Sequence, residues 1–360
     1  MSKAAELAAL IGSQTALSNR NLIINGAMQV AQRGTSTTSL GYLVDRFQTQ
    51  GSNLDELVVT ASQSTTAPSG FSNSLKINID TAESAIASDE LFRVRQKIEA
   101  QNLQHLQYGS SGANSITLSF WVRANVTGTY AVSLFNQDGY RVTGSTYAIN
   151  SADTWEYKEI TFSGDTSGTI NNDNGIGLEI NWFLSVGSNF TGTANTSWAG
   201  YSDARLANGH AVELTDTANN NWHITGVQLE VGEQATPFEH RSYGDELARC
   251  QRYYTVINDN LTGDSNDYPC YPTARWSTSQ MLMTVPLPTS LRASATVSVS
   301  GANIQFQQAG SSTDVSSVTH INTGRTQVTA YGALGFNPTS QTSGVAVFLT
   351  GARLKLDAEL

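Results

Sequence analysis

Along most of the chain, apolar residues recur at every second position. Leu75, Ile77 and Ile79 alternate with Lys76, Asn78 and Asp80, and Ile116, Leu118, Phe120 and Val122 alternate with Thr117, Ser119, Trp121 and Arg123. Ile176, Leu178, Ile180, Trp182, Leu184 and Val186 share one parity over a longer run. A period of two puts successive side chains on opposite faces of a strand, so each run predicts a strand with one buried face. Near residue 225 the phase slips: Trp222 and Ile224 share one parity, and Val227, Leu229 and Val231 the other. A slip of one residue across Thr225-Gly226 predicts a β-bulge, with glycine supplying the unusual dihedral. Turns rich in Asn, Asp and Gly, such as Asn171–Gly175 and Thr217–Asn221, punctuate the strands. Strands do not alternate with helices here, so the sheets should be antiparallel, and many short strands imply a sandwich or jelly-roll.

The helical period surfaces in three places. Ala4, Leu7, Ala8 and Ile11 recur at i, i+3, i+4 and i+7, with Gly12 placed to stop the helix. A helix this short is marginal alone, so its apolar stripe must dock, either on its own chain or, favoured by the polar tether behind it, on a neighbouring subunit. A helical interruption is expected within Gln96–Tyr108, with Ile98, Leu103 and Leu106 facing the sandwich. After Pro237, residues 242–254 read as a connecting helix capped by Ser242, with Asp245 and Glu246 near its positive end. Tyr243, Leu247, Cys250 and Tyr254 would form its apolar stripe. Residues 255–360 return to short strands. The expected fold is all-β: an antiparallel jelly-roll over 21–238, a helical connector over 239–254 and a smaller C-terminal sandwich over 255–360. An N-terminal anchor helix and tether occupy 1–20.

Composition narrows the function. At 360 residues the chain is long for one core, which agrees with two domains. Charged residues are 14% of the chain, and Ser, Thr, Asn, Gln and Gly take their place. The net charge of −10 and the lack of a Lys/Arg cluster argue against nucleic acid and anionic membrane as partners. Cys250 and Cys270 match no metal or redox spacing, which favours two separate thiols and leaves a bridge open. Glu6 interrupts the first apolar stretch, so no secretory leader is expected, and no run is long enough to span a bilayer.

Four stretches resemble known sequences. Residues 21–34, from Asn21-Leu-Ile-Ile-Asn-Gly26 to Arg33-Gly34, followed by Tyr42-Leu-Val-Asp-Arg-Phe47, are similar to the opening of jelly-rolls in phage tail-fibre and related virion proteins. So are Ser119-Phe-Trp-Val-Arg-Ala124 and Trp222-His-Ile-Thr-Gly-Val-Gln-Leu-Glu-Val-Gly232, the latter continuing through Ser242 to Arg249-Cys-Gln-Arg-Tyr-Tyr254. Their order matches too, over roughly residues 20–255. The resemblance implies a sandwich similar to carbohydrate-binding modules, assembled as a homotrimer or larger ring on a phage particle. Synthesis would be in the host cytoplasm and the final location the virion surface. It leaves tail fibre and head fibre or capsid decoration open. In either, Ala4, Leu7, Ala8 and Ile11 would anchor the chain to other virion proteins.

Enzymatic signatures are missing. The histidines at 105, 210, 223, 240 and 320 match no zinc motif, and no nucleophile elbow or phosphate loop is present. A polysaccharide-degrading enzyme would need two carboxylates, for which Asp45, Glu179, Asp203 and Glu213 are candidates, but polar strand faces carry acids anyway. A structural calcium is the one cofactor considered, at Asn171–Gly175 or Asp259–Asp267, with solvated turns preferred. Sugar binding rests on aromatics, because pyranose rings stack on them. Trp198 and Tyr201 lie in a Gly/Ser-rich loop, and Tyr268, Tyr271 and Trp276 beside polar loops of the C-terminal domain. Trp121, Trp155 and Tyr157 fall on polar parity, where packing between subunits competes with sugar contact. Host contact is expected in residues 255–360, distal to an anchor and spacer.

Overall fold

The computed structural model describes residues 20–192, 196–257, 274–277, 280–300, 304–308, 311–323, 327–334, 345–348 and 353–360. Ala4, Leu7, Ala8, Ile11, Tyr268, Tyr271, Cys270 and the run Asp259–Asp267 lie outside the described residues, as does the side chain of Trp276. Two compact units meet in sequence at Glu246/Leu247, and Leu360 groups with the first.

The first unit contains, in chain order, β1 (Ser36–Thr37), β2 (Gly41–Tyr42), β3 (Gln48–Ser52), β4 (Val58–Ser64), β5 (Ser74–Thr81), β6 (Leu91–Glu99), β7 (Ile116–Ala124), β8 (Gly128–Asn136), β9 (Arg141–Ile149), β10 (Glu156–Phe162), β11 (Ile176–Val186), β12 (Ala199–Gly200) and β13 (Asn221–Val231). They form a six-stranded sheet, β1-β4-β5-β13-β7-β10, and a seven-stranded sheet, β12-β9-β8-β11-β6-β3-β2. Their pairings are antiparallel, as the alternation predicts. From β5 onward the chain passes repeatedly from one sheet to the other, so the inward faces of both build a single core. Ile77, Ile79, Leu118, Val122, Trp222 and Ile224 come from the first sheet, and Phe92, Val94, Tyr130, Leu134, Ile180 and Trp182 from the second. Phe120 ties them together, edge-on to Trp182 at 6.0 Å and to Tyr147 at 5.2 Å. Each such ring removed from water stabilises the fold by roughly 1.5–3 kcal/mol.

The predicted bulge is present. The register between β13 and β7 shifts between Thr225 and Gln228, and Gly226 has φ +61°. Trp222, Ile224, Val227 and Leu229 all end up fully buried as a result. The Asn21–Gly26 segment closes on the same place. Asn21 Nδ2 donates to the Val227 carbonyl at 3.0 Å, Leu229 N donates to Asn21 Oδ1 at 3.0 Å, and Val227 N donates to the Gly26 carbonyl at 2.9 Å. Two of the four resembling stretches, some 200 residues apart, therefore meet as one hydrogen-bonded unit.

Three local expectations change. The helical interruption is a 3-10 helix, Ala100–Leu106; Leu103 and Leu106 are buried, but Ile98 sits on β6. The run Ile176–Val186 does not keep one face: a register shift between Phe183 and Ser185 moves Val186 out of the main core into a second cluster with Phe183. The connecting helix, α1 (Tyr243–Gln251), ends before Tyr254, which opens the next strand. Ser242 caps it, its hydroxyl accepting from Asp245 N at 3.2 Å. Tyr243 is exposed, whereas Glu246 is buried, accepting from Asn25 N at 2.6 Å and lying 3.6 Å from Arg241. Cys250 and Tyr254 are buried and Leu247 half-buried, so of the expected apolar stripe only Tyr243 faces solvent, and Glu246 adds a charge partner to the buried side.

The second unit contains β14 (Tyr254–Ile257), β15 (Ala274–Ser277), β16 (Gln280–Pro286), β17 (Thr296–Ser300), β18 (Ile304–Gln308), β19 (Ser311–Thr323), β20 (Gln327–Leu334), β21 (Val345–Phe348) and β22 (Arg353–Asp357). These make a three-stranded sheet, β14-β22-β17, and a six-stranded sheet, β15-β16-β20-β19-β18-β21. No helix among the described residues is long and apolar enough to cross a membrane.

Candidate saccharide-binding face

The outer face of the seven-stranded sheet is built from the residues that the core does not take. On β6 the inward residues Phe92, Val94 and Ile98 belong to the core, which turns Arg93, Arg95 and Lys97 outward. On β11, Ile180 and Trp182 face in, which turns Glu179 and Asn181 out. The register sets Gln48 and Gln50 of β3 opposite Arg95 and Arg93, Asn181 opposite Arg95 and Ser133, and Ser133 opposite Gly144.

Side chains then join across three strands. Arg93 Nε donates to Gln50 Oε1 at 2.6 Å and Arg95 Nε to Gln48 Oε1 at 2.8 Å. Both guanidinium groups reach one carboxylate: Arg95 Nη1 lies 3.2 Å from Glu179 Oε2, and Arg93 Nη1 3.4 Å from Glu179 Oε1. Burial pushes the Arg93 guanidinium down to about 10, opposed by Glu179 and reinforced by neighbouring Arg95. Beside this lattice, Asn181 and Ser133 are fully buried, and neither the Asn181 amide nor the Ser133 hydroxyl makes a hydrogen bond among the described residues. An unmet buried polar group costs about 1–3 kcal/mol, so two together on one face call for a partner.

Aromatic rings border the lattice. Tyr201 lies 4.9 Å from both Phe135 and Tyr140, measured between ring centres, and Phe135 lies 5.8 Å from Tyr140. Tyr140, held at φ +50° in the β8–β9 turn, is 58% exposed. The Tyr201 hydroxyl donates to Asp203 Oδ1 at 2.7 Å, and burial, with Asp203 adding to it, raises its pKa. The segment after β11 roofs another part of this face, packing Phe190, Leu206 and Ala207 on Phe183, Val186 and Ala131.

Of the aromatics singled out in the sequence, Tyr201 therefore borders the polar lattice. Trp198 does not join it: its indole N–H donates to the Ser163 carbonyl at 2.7 Å, its ring meets Tyr108 edge-on at 5.6 Å, and it packs on the main core. Trp121 and Tyr157 pair at 5.4 Å on the outer face of the other sheet, near a triangle of Phe71, Phe238 and His240. Trp155 lies edge-on to His223 at 5.9 Å. His223 behaves as a packed histidine, with Ser74 Oγ at 3.2 Å from one ring nitrogen and Arg123 at 3.3 Å from the other. Burial, then Arg123 and Lys76, lower its pKa to about 3.

The four candidate catalytic acids have separate settings. Glu179 is shared by two arginines, Asp45 accepts from Gln32 N at 3.0 Å, and Asp203 accepts from Tyr201. Glu213 is raised to about 7 by burial. Among turns considered for calcium, Asn171 donates to Asp138 of the β8–β9 turn and Gly175 N donates to Asp173, so both carboxylates already accept hydrogen bonds. Asp55, Glu83 and Glu90 bring carboxylate oxygens within 4.8 Å of one another, a grouping that sequence did not suggest. Arg93, Arg95, Gln48, Gln50, Asn181, Ser133 and Tyr140 were also not singled out. The signal that could have found part of the set is Arg93-Val-Arg-Gln-Lys97, alternating cations in a charge-poor chain.

No protein-family model matches the chain, and no curated protein matches its sequence. Solved structures similar to part of it include the enzymatically active domain of tailspike protein 4 of bacteriophage CBA120, at 14% identity and TM-score 0.33 over 59% of this chain and 21% of that one. TmCBM61 in complex with β-1,4-galactotriose matches at 10% identity and TM-score 0.31, over 59% of this chain and 100% of that one. A family 11 carbohydrate-binding module from Clostridium thermocellum, in complex with a β-1,3-1,4-mixed-linked tetrasaccharide, matches at 11% identity and TM-score 0.27, over 54% and 91%.

Proposed function

We propose that the chain is a non-enzymatic structural protein of a bacteriophage particle, in a tail fibre or tail appendage, whose first β-sandwich binds saccharide at the host surface. The observation that carries the binding role is the outer face of the seven-stranded sheet. Arg93, Glu179 and Arg95 are preset by Gln48 and Gln50, buried Asn181 and Ser133 have unmade hydrogen bonds, and Tyr140 and Tyr201 stand at the border. Fixed donors and acceptors beside an aromatic edge suit a ligand of hydroxyls and apolar ring faces. The phage setting rests on the four sequence stretches, two of which the fold joins at the β13 bulge. Residues 1–20 serve in this reading as the tie to other virion proteins. The chain assembles as a homotrimer, for which the aromatic surface around Trp121, Tyr157, Phe71 and Phe238 offers contact area.

Binding of the whole protein to an array of bacterial surface polysaccharides tests the reading. Tyr140→Ala and Tyr201→Ala should each weaken binding about tenfold, the loss of one well-placed aromatic contact, with the melting temperature little changed. If Trp276→Ala alone abolishes binding, host contact lies in residues 255–360. If no polysaccharide binds, a head-fibre or capsid-decorating role takes its place.

A further inference from the structure

The charge on the saccharide face does not match the chain that carries it. The protein has a net charge of −10, and its Lys and Arg total 20 in 360 residues. Yet β6 presents Arg93, Arg95 and Lys97 at alternate positions on one face, with Glu179 directly opposite Lys97 on the neighbouring strand. The Lys97 ammonium is engaged by the Leu360 carbonyl at 2.6 Å, so the pair that matters is Arg93 and Arg95. These two guanidinium groups share one carboxylate and leave a net positive charge in a site where both are held in place. Each spends Nε on a glutamine and Nη1 on Glu179, which leaves the planar Nη2 edges for a further acceptor. Two guanidinium groups on one carboxylate carry an excess positive charge, and a planar fork with an open edge is suited to a second oxyanion.

We infer that the saccharide taken by this face is acidic, with a carboxylate of the sugar bridging Arg93 and Arg95. The inference rests on the binding role proposed above and adds the ligand class. Planar oxyanions match the guanidinium fork in two-point geometry, and such bonds are the strong ones. Gln48 and Gln50 set neutral amides beside the two arginines, the mixed polar setting that hydroxyls need, which favours an acidic sugar over a nucleic acid.

The test uses the whole protein with alginate, polygalacturonate and hyaluronan, each beside its carboxyl-reduced form, which keeps the linkages and removes the charge. Binding to at least one acidic polymer should exceed that of its reduced form about tenfold or more, and should weaken as salt rises. Arg93→Gln and Arg95→Gln should each erase most of that difference. Glu179→Gln removes the competing carboxylate and should tighten acidic-polymer binding severalfold, whereas loss of a merely structural ion pair would not. Binding that is equal for acidic and reduced polymers would overturn the acidic class while leaving saccharide binding intact. Binding to no polymer of either kind would overturn both. Preference for a single-stranded oligonucleotide over every acidic polymer would overturn the class as well.

Discussion

Gly226 is where the fold is most open to a single-atom test. Its φ of +61° lies in the left-handed region, where a side chain costs about 1–2 kcal/mol. A Cβ placed there would also meet Phe71 Cζ at 2.7 Å and Trp121 Cδ1 at 3.1 Å. Phe71 could swing aside, but it is wedged between Phe238 at 5.0 Å and His240 at 5.3 Å, so the cost of overpacking applies, about 1–3 kcal/mol. The backbone has little room to relax, because the next residue, Val227, is bound through its N–H to Gly26 and through its carbonyl to Asn21. Gly226→Ala should therefore destabilise the first unit by roughly 2–5 kcal/mol, the two costs together.

Gly26→Ala gives the comparison. A Cβ at Gly26 would lie 2.1 Å from the Val227 carbonyl oxygen, a backbone atom with no rotamer to yield. It should cost more than Gly226→Ala. Urea denaturation followed by tryptophan fluorescence reads both, because Trp182 and Trp222 are fully buried in this unit. If Gly226→Ala falls within about 0.5 kcal/mol of the parent, or proves costlier than Gly26→Ala, the bulge is not the constraint described here.

Further outcomes follow from buried charge and assembly. Glu213, raised to about 7 by burial, favours its protonated form in the folded state, so its stabilising effect is full below about pH 4.3 and is lost as pH rises through 7. Glu213→Gln should flatten that decline in the urea midpoint between pH 5 and 8. His210 and His223, lowered to about 4 and about 3 by burial, act in the other direction: their contribution is present above about pH 6.5 and is lost on acidification toward those values. Exchanging His223 for Gln should reduce the acid-side loss seen by the same measurement. Asp165 is fully buried, lies 3.0 Å from Arg141 and accepts from Ser167 N and Gly168 N; Asp165→Ala should cost about 2–4 kcal/mol, and near-neutral behaviour would show the pair to be idle. Light scattering of the whole protein at micromolar concentration should give a trimer mass, and a stable monomer would refute the assembly.

Strand parity was legible because a single core decides it: residues such as Ile77, Phe120 and Trp222 have one apolar side to satisfy. The bulge at Gly226 was legible for the same reason, since a slip in phase shows whenever one face stays polar. The slip near Leu184 was hidden because its neighbours Phe183 and Val186 are apolar and both faces of the strand are covered there. Trp198 read as a sugar platform because it stands in a polar loop. Its partners are the Ser163 carbonyl and the Tyr108 ring, 35 and 90 positions away, which local pattern does not reveal.

The same limit governs the proposed site. Glu179 looks like any acid on a polar strand face until β11 is set against β6, where Arg95 arrives from 84 positions away. A strand with one wet face has its polar residues explained by water. This one does not: all of β11 from Gly177 to Val186 is buried, so the charges and amides on its outer side need partners of their own. Phe183 and Val186 find theirs in the roof of Phe190, Leu206 and Ala207, and Glu179 finds its in two arginines. Asn181, directly opposite Ser133, is the outward residue for which the fold supplies none. A strand covered on both sides thus keeps an unmet amide at its centre, and the hydroxyl directly across the ladder, that of Ser133, is unmet as well, so the cost of burying both is carried by the hydrophobic contacts around them.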